Sequence, residues 1–97
     1  MRERRVSTRF VSFVIMARPG VPIDHTSFDV PLADTLAMFD SLGLEVTDFG
    51  ALEARTVAPL CRRRLWPARA PRLALRKWIE QLLALAERAG DGMILFS

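Results

Sequence analysis

The chain has one cysteine (Cys61), one histidine (His25), one lysine (Lys77) and no tyrosine. A lone thiol excludes an internal disulfide and fits a reducing compartment. One thiol and one imidazole, far apart in sequence, do not supply the usual thiolate and imidazole set of a metal site. A Cys–His nucleophile pair is formally open to the chain. His25, however, stands in a Pro/Gly-rich loop and Cys61 in an arginine run, so a structural thiol is the better reading. Absent tyrosine removes a common general acid and a common interface anchor. The glycines are scattered and form no phosphate loop, and no serine sits in a G-x-S-x-G elbow. Asp34, Asp40 and Asp48 invite a search for paired carboxylates, but acids on short elements are usually solvated. No catalytic, cofactor-binding or metal-binding set emerges, and a non-enzymatic protein is expected.

Also missing is any run of the ~18–20 apolar residues needed to span a bilayer. Arg2, Arg4 and Arg5 followed by FVSFVIMA resemble a short signal peptide. Ser12 interrupts that run, and Arg18-Pro19 makes a poor cleavage site. A cytoplasmic protein is therefore expected. Met16 begins a plausible opening of its own, MARPGVPIDH, so translation could start there and leave the first fifteen residues outside the protein. Residues 1–8, MRERRVST, are polar and basic and read as a disordered tail.

What is present is apolar. Ninety-seven residues make one small domain, here placed at 9–97, and 51% of them are hydrophobic. That fraction argues against disorder. In so small a fold it also implies that some apolar surface lies at an interface. Arginine in place of lysine, with abundant alanine, suggests a GC-rich and hence bacterial genome.

The strongest element is the stretch Pro71 to Ala89, PRLALRKWIEQLLALAERA, a predicted helix. Pro71 suits its first turn and Gly90 its end. Leu75, Trp78, Ile79, Leu82, Leu83 and Ala86 recur three and four apart as one apolar face. Burying each large side chain is worth roughly 1.5–3 kcal/mol. Arg76 and Glu80 form an exposed pair four apart, worth ~0.2–0.5 kcal/mol, so the apolar face dominates.

Upstream, Arg9 to Met16 reads as a strand that is apolar on both faces, hence buried on two sides or paired across a dimer. Ala17 to Val30 reads as a loop pinned by Phe28 and Val30. Pro31 to Leu42 reads as a helix ending at Gly43, with Leu32, Leu36, Phe39 and Leu42 as its stripe. A further helix is expected from an N-cap at Thr47 or Asp48 through Phe49, Leu52, Arg55 and Thr56, ended or kinked by Pro59, with Leu60 to Trp66 resuming as a helical turn because Leu60, Arg64 and Leu65 continue the period. The turn around Gly43 does not make a helix-turn-helix: Phe39 stands where that motif prefers a small residue. Pro67 to Pro71 reads as a linker and Met93 to Phe96 as a C-terminal strand. The expected fold is α+β: a small, mainly helical domain of about three helices. Its short N- and C-terminal strands would pair within the chain or across a dimer.

Charge is segregated. From Asp24 through Glu53 there are seven acids and no arginine or lysine; from Arg55 through Lys77 there are eight arginines and lysines and no acid. Three readings compete: the basic block meets nucleic acid, the two blocks neutralise each other within the monomer or across a dimer, or one block complements a protein surface. A net charge of +3 is modest for a nucleic-acid binder. The preferred reading is a small bacterial regulatory protein, a homodimer, that occludes a surface of a protein partner such as a transcription factor. Its partner-binding candidates are Arg62, Arg63, Arg64, Trp66, Arg69, Arg72 and Trp78, because arginine and tryptophan dominate interface hot spots. The alternative is an Arg-rich nucleic-acid-binding module that uses the same arginines on phosphates.

Overall fold

A computed structural model describes residues 9–66 and 73–97. In chain order the elements are β1 (Phe10–Ile15), β2 (Ser27–Pro31), α1 (Leu32–Leu42), β3 (Gly50–Glu53), α2 (Ala54–Leu65), α3 (Leu73–Ala89) and β4 (Met93–Phe96). The four strands form one sheet in the order β2-β1-β4-β3, and every neighbouring pair is antiparallel. Three helices pack on one face of it. The fold is thus a small α+β domain, and the terminal strands β1 and β4 pair with each other inside the chain.

Alternation along the strands decides which side chains meet the helices. The register sets Phe28, Phe13, Phe96 and Gly50 in one row across the sheet. The Phe13 ring stacks on Phe28 at 4.9 Å and on Phe96 at 5.6 Å. Phe39 of α1 meets both Phe13 and Phe96 edge-on, at 6.1 and 5.0 Å, a favoured geometry for aromatic pairs. Gly50 ends the row because a Cβ there would lie 3.3 Å from the Phe96 ring. Val11, Val30 and Ile94 fill the same side and are fully buried.

The helices are held by their buried stripes. In α3 these are Leu75, Ile79, Leu82, Leu85, Ala86 and Ala89, with Trp78 and Leu83 half-buried at the flank. In α1 they are Thr35, Met38, Phe39 and Leu42, rotated from the expected stripe so that Leu32 and Leu36 are only half-buried. Thr35 is tolerated in the core because its hydroxyl donates to the Pro31 carbonyl at 3.2 Å. The helix closes on Gly43 at φ 76°. The Leu44 N–H then reaches back to the Phe39 carbonyl at 2.9 Å, the Schellman arrangement.

Two expectations are corrected and a third is narrowed. The loop expected from Ala17 to Val30 contains a strand, β2. The helix expected from Thr47 or Asp48 is instead β3 followed by α2, because Gly50 to Glu53 pair along β4 before the chain turns helical at Ala54. Pro59 lies inside α2 without ending it. Both Pro59 and Arg55, whose carbonyl loses its donor, lie on the exposed side of the helix, while Val57, Ala58, Cys61 and Leu65 hold the buried side. The sheet therefore carries more of the fold than "mainly helical" implied. The expected 1–8 tail, the 67–71 linker and the Pro71 start of the last helix lie outside the described residues.

A start at Met16 is incompatible with this architecture. It would remove β1, a central strand bonded to β2 on one side and β4 on the other.

Candidate functional site

α2 brings the Arg62–Arg64 run to its last turn, where cations are favoured by the helix dipole. The three arginines do different things. Arg62 meets Glu87 of α3 at 3.1 Å. Arg64 donates from Nε to the Ser41 hydroxyl of α1 at 2.7 Å, which ties two helices. Arg63 is exposed and forms no ion pair with a described residue. Trp66 follows with 73% of its surface exposed. The sequence thus placed an exposed aromatic and an exposed guanidinium together at one helix end.

Trp78 is elsewhere and differently employed. Its indole N–H donates to Asp34 of α1 at 3.0 Å, and Lys77 Nζ lies 5.1 Å from its ring centroid. Half-buried and hydrogen-bonded, it fastens α3 to α1. Arg69 and Arg72 lie outside the described residues.

The ion pairs between described residues show where the segregated charge goes. Arg62 and Arg76 turn to Glu87 and Glu80, both on α3. Acids of the acidic block are met by bases from other parts of the chain: Asp24 by Arg88 at 3.0 Å and Asp48 by Arg9 at 2.7 Å. Arg55 and Arg63 of the basic block, and Asp40 and Glu45 of the acidic one, pair with no described partner of opposite charge.

Nothing in the described residues assembles a reaction centre. Cys61 is buried, and burial pushes its thiol up to about 12 against a smaller opposing pull from Arg62, far from the depressed range of nucleophilic cysteines. His25 is exposed. Among the described residues no three His, Cys, Asp or Glu side chains converge on a possible metal site. No helix among them is long and apolar enough to cross a membrane. A cleft of about 140 Å³ opens between the β1–β2 loop and the end of α3. Its two arginines, Arg18 and Arg88, are already bound to Asp91 and Asp24, and its volume falls below the ~300 Å³ of ordinary ligand pockets.

The largest feature missed among the candidate residues is the bare face of the sheet. Opposite the helices, the register aligns Ser27, Val14, Leu95 and Ala51 in one row and Pro31 with Phe10 in another, with the hydrogen-bonded Ser12–Asp29 pair between them. Phe10 is 52% exposed, and Val14 and Leu95 are 38% exposed each. Phe49, just before β3, adds a ring with 66% of its surface in solvent. The signal was present in the sequence: β1 is apolar at both odd and even positions, which pointed to two buried faces, and the helices cover only one.

No protein-family model, no curated protein and no solved structure matches the chain.

Proposed function

We propose that the protein is a non-enzymatic, cytoplasmic bacterial regulator that works as a homodimer by binding another protein. It acts by occlusion, covering a surface that a partner such as a transcription factor needs. The observation that carries this reading is the uncovered sheet face, where Val14 and Leu95 lie side by side in solvent and Phe10 stands beyond the polar Ser12–Asp29 pair; exposed apolar surface on a small protein marks an interaction site. The Arg63–Trp66 end of α2 supplies a second, polar contact of the kind found at hot spots.

A nucleic-acid-binding module is the second reading, favoured by Arg63 beside an exposed Trp66 that could stack on a base. Salt separates the two. Phosphate contacts lose affinity steeply as salt rises, whereas an apolar face does not. The test compares wild type, Leu95→Glu and Arg63→Glu for duplex binding across a salt series and for capture of partners from a bacterial lysate. The protein-binding reading expects a salt-resistant partner lost with Leu95→Glu and negligible duplex affinity. Duplex binding that falls with salt and vanishes in Arg63→Glu would replace it with the second.

A further inference from the structure

The two edges of the sheet are not equivalent. Ala54 N–H donates to the Gly92 carbonyl at 3.0 Å, and the same register pairs Leu52 with Ile94 and Gly50 with Phe96. Antiparallel bonding alternates along a strand, so the N–H and C=O groups of Ala51 and Glu53 point away from β4, toward the open edge. On the other edge, Leu32 N–H donates to the Arg9 carbonyl, which by the same alternation leaves Ser27, Asp29 and Pro31 facing out. Pro31 has no N–H to give, and α1 begins directly after it. Proline and inward or outward charge are the usual ways of blunting an edge. The β2 edge has both, while β3 has the charge of Glu53 but no proline, and keeps its outward donors.

Resting on the homodimer reading above, we infer that the β3 edge is the dimer interface: two copies join antiparallel through the outward-pointing groups of Ala51 and Glu53 into one eight-stranded sheet. Five symmetric registers pair such groups, centred on each residue from Phe49 to Glu53, and charge narrows them. Centring on Glu53 sets two carboxylates face to face, and centring on Phe49 sets Glu53 opposite Glu45 of the copy. Like charges directly opposed are destabilising. Centring on Gly50, Ala51 or Leu52 sets Glu53 opposite Thr47, Phe49 or Ala51 instead. These three registers carry the acidic segment before β3, where Asp48 also holds Arg9, toward the Arg55 start of α2 in the other copy. Arg55 is exposed and pairs with no described acid, and the boundary between the acidic and basic blocks falls at Glu53–Arg55. Antiparallel self-pairing therefore brings the acidic side of one copy against the basic side of the other.

Area points the same way. Four strands ~4.8 Å apart and about five residues long present roughly 350 Å² of outer face. A stable protein–protein interface takes about 800 Å² per partner. One copy falls well short, whereas a continuous sheet over two copies roughly supplies it, with the Val14–Leu95–Ala51 row running up to the shared edge from each side.

The experiment is sedimentation of the full chain over a concentration series, with three variants and circular dichroism as the folding control. Ala51→Pro removes a donor that β4 does not use and should weaken the dimer about tenfold or more, as two interchain hydrogen bonds are lost. Arg55→Glu should weaken it about threefold. Ala51→Cys should be joined to its copy by a short thiol–thiol cross-linker, because all three remaining registers keep the two Cα atoms of residue 51 within about 9 Å. Buried Cys61 does not compete. A dimer weakened by Ala51→Pro and cross-linked through Cys introduced at 51 establishes the interface. A dimer that resists Ala51→Pro and fails to cross-link overturns the β3 edge and leaves the homodimer reading standing. A wild-type monomer at every concentration sinks that reading and this inference with it.

Discussion

The two faces of β1 are built from similar residues and end in opposite environments. Val11 and Phe13 are fully buried, while Phe10 and Val14, one step along the same strand, meet solvent. The difference lies in what the rest of the chain brings. Phe39 and the apolar stripe of α3 cover the odd-numbered side, and among the described residues no element covers the even-numbered one. Apolar content on the first face is accounted for by folding. On the second it has no role in the monomer's core, which is why that face, and not the aromatic row beneath it, is the place to look for function.

The largest expected effect is at the level of the strand itself. A chain begun at Met16 loses both faces together, leaves β2 with no neighbour and strips β4 of one of its two partners. It is expected not to fold, read as loss of a cooperative thermal transition. Single substitutions then separate the faces. Phe13→Ala removes the ring that touches Phe28, Phe39 and Phe96 and should cost about 3–5 kcal/mol in denaturant unfolding. Leu95→Glu, on the other side of the neighbouring strand, should cost no more than about 1 kcal/mol yet abolish partner capture. Equal destabilisation by the two would end the distinction between a folding face and a binding face.

Sequence pattern served the elements with strong local signals and failed where pairing overrode them. α3 and β4 were legible because a long 3.6-period stripe and a terminal run of β-formers leave little choice. The chain from Phe49 to Thr56 was not: Phe49, Leu52 and Thr56 recur at helical spacing, and Gly50 to Glu53 become a strand only because β4 offers a partner forty residues on. β2 was missed behind its prolines, although Phe28 and Val30 alternate with Ser27 and Asp29 as a half-buried strand should. For the candidate site, the helical turn that carries Arg63 was legible in the period of Leu60, Arg64 and Leu65, whereas the exposure of Trp66 is a finding of the structure. Trp78 shows the limit of residue-type arguments, since its type fitted a hot spot while its spacing fitted a packing role, and the bond to Asp34 is what the structure adds to the second.

Intermediate effects sharpen the assignment of the helical layer to folding. Trp78→Phe keeps the ring and removes the donor to Asp34, so it should lower stability by about 0.5–1.5 kcal/mol with no change in partner binding. A loss of binding at unchanged stability would return Trp78 to the interface. Cys61, on the covered side, should resist thiol reagents in the native state at pH 8 and react only as α2 opens. Its thiol is held at about 12 against an ordinary 9.0. The raised value means its share of stability is complete below pH 9 and declines as pH rises from there toward 12.

The smallest effect concerns the loop that joins β1 to β2 across the end of the domain. Asp24 accepts from the Thr26 backbone N–H at 2.9 Å and from Arg88 at 3.0 Å. The Thr26 hydroxyl, the Thr26 N–H and Arg88, in that order, hold its carboxyl down at about 2 against an ordinary 3.8. A depressed carboxyl stabilises the fold above its unfolded value and ceases to do so as pH falls through its folded one. The Asp24 contribution should therefore be whole above about pH 4 and fade between there and pH 2. Thermal midpoints of wild type and Asp24→Asn, compared from pH 6 downward, should converge over that window. A difference that persists unchanged below pH 2 would mean that the loop is fastened by its apolar residues and not by this carboxylate.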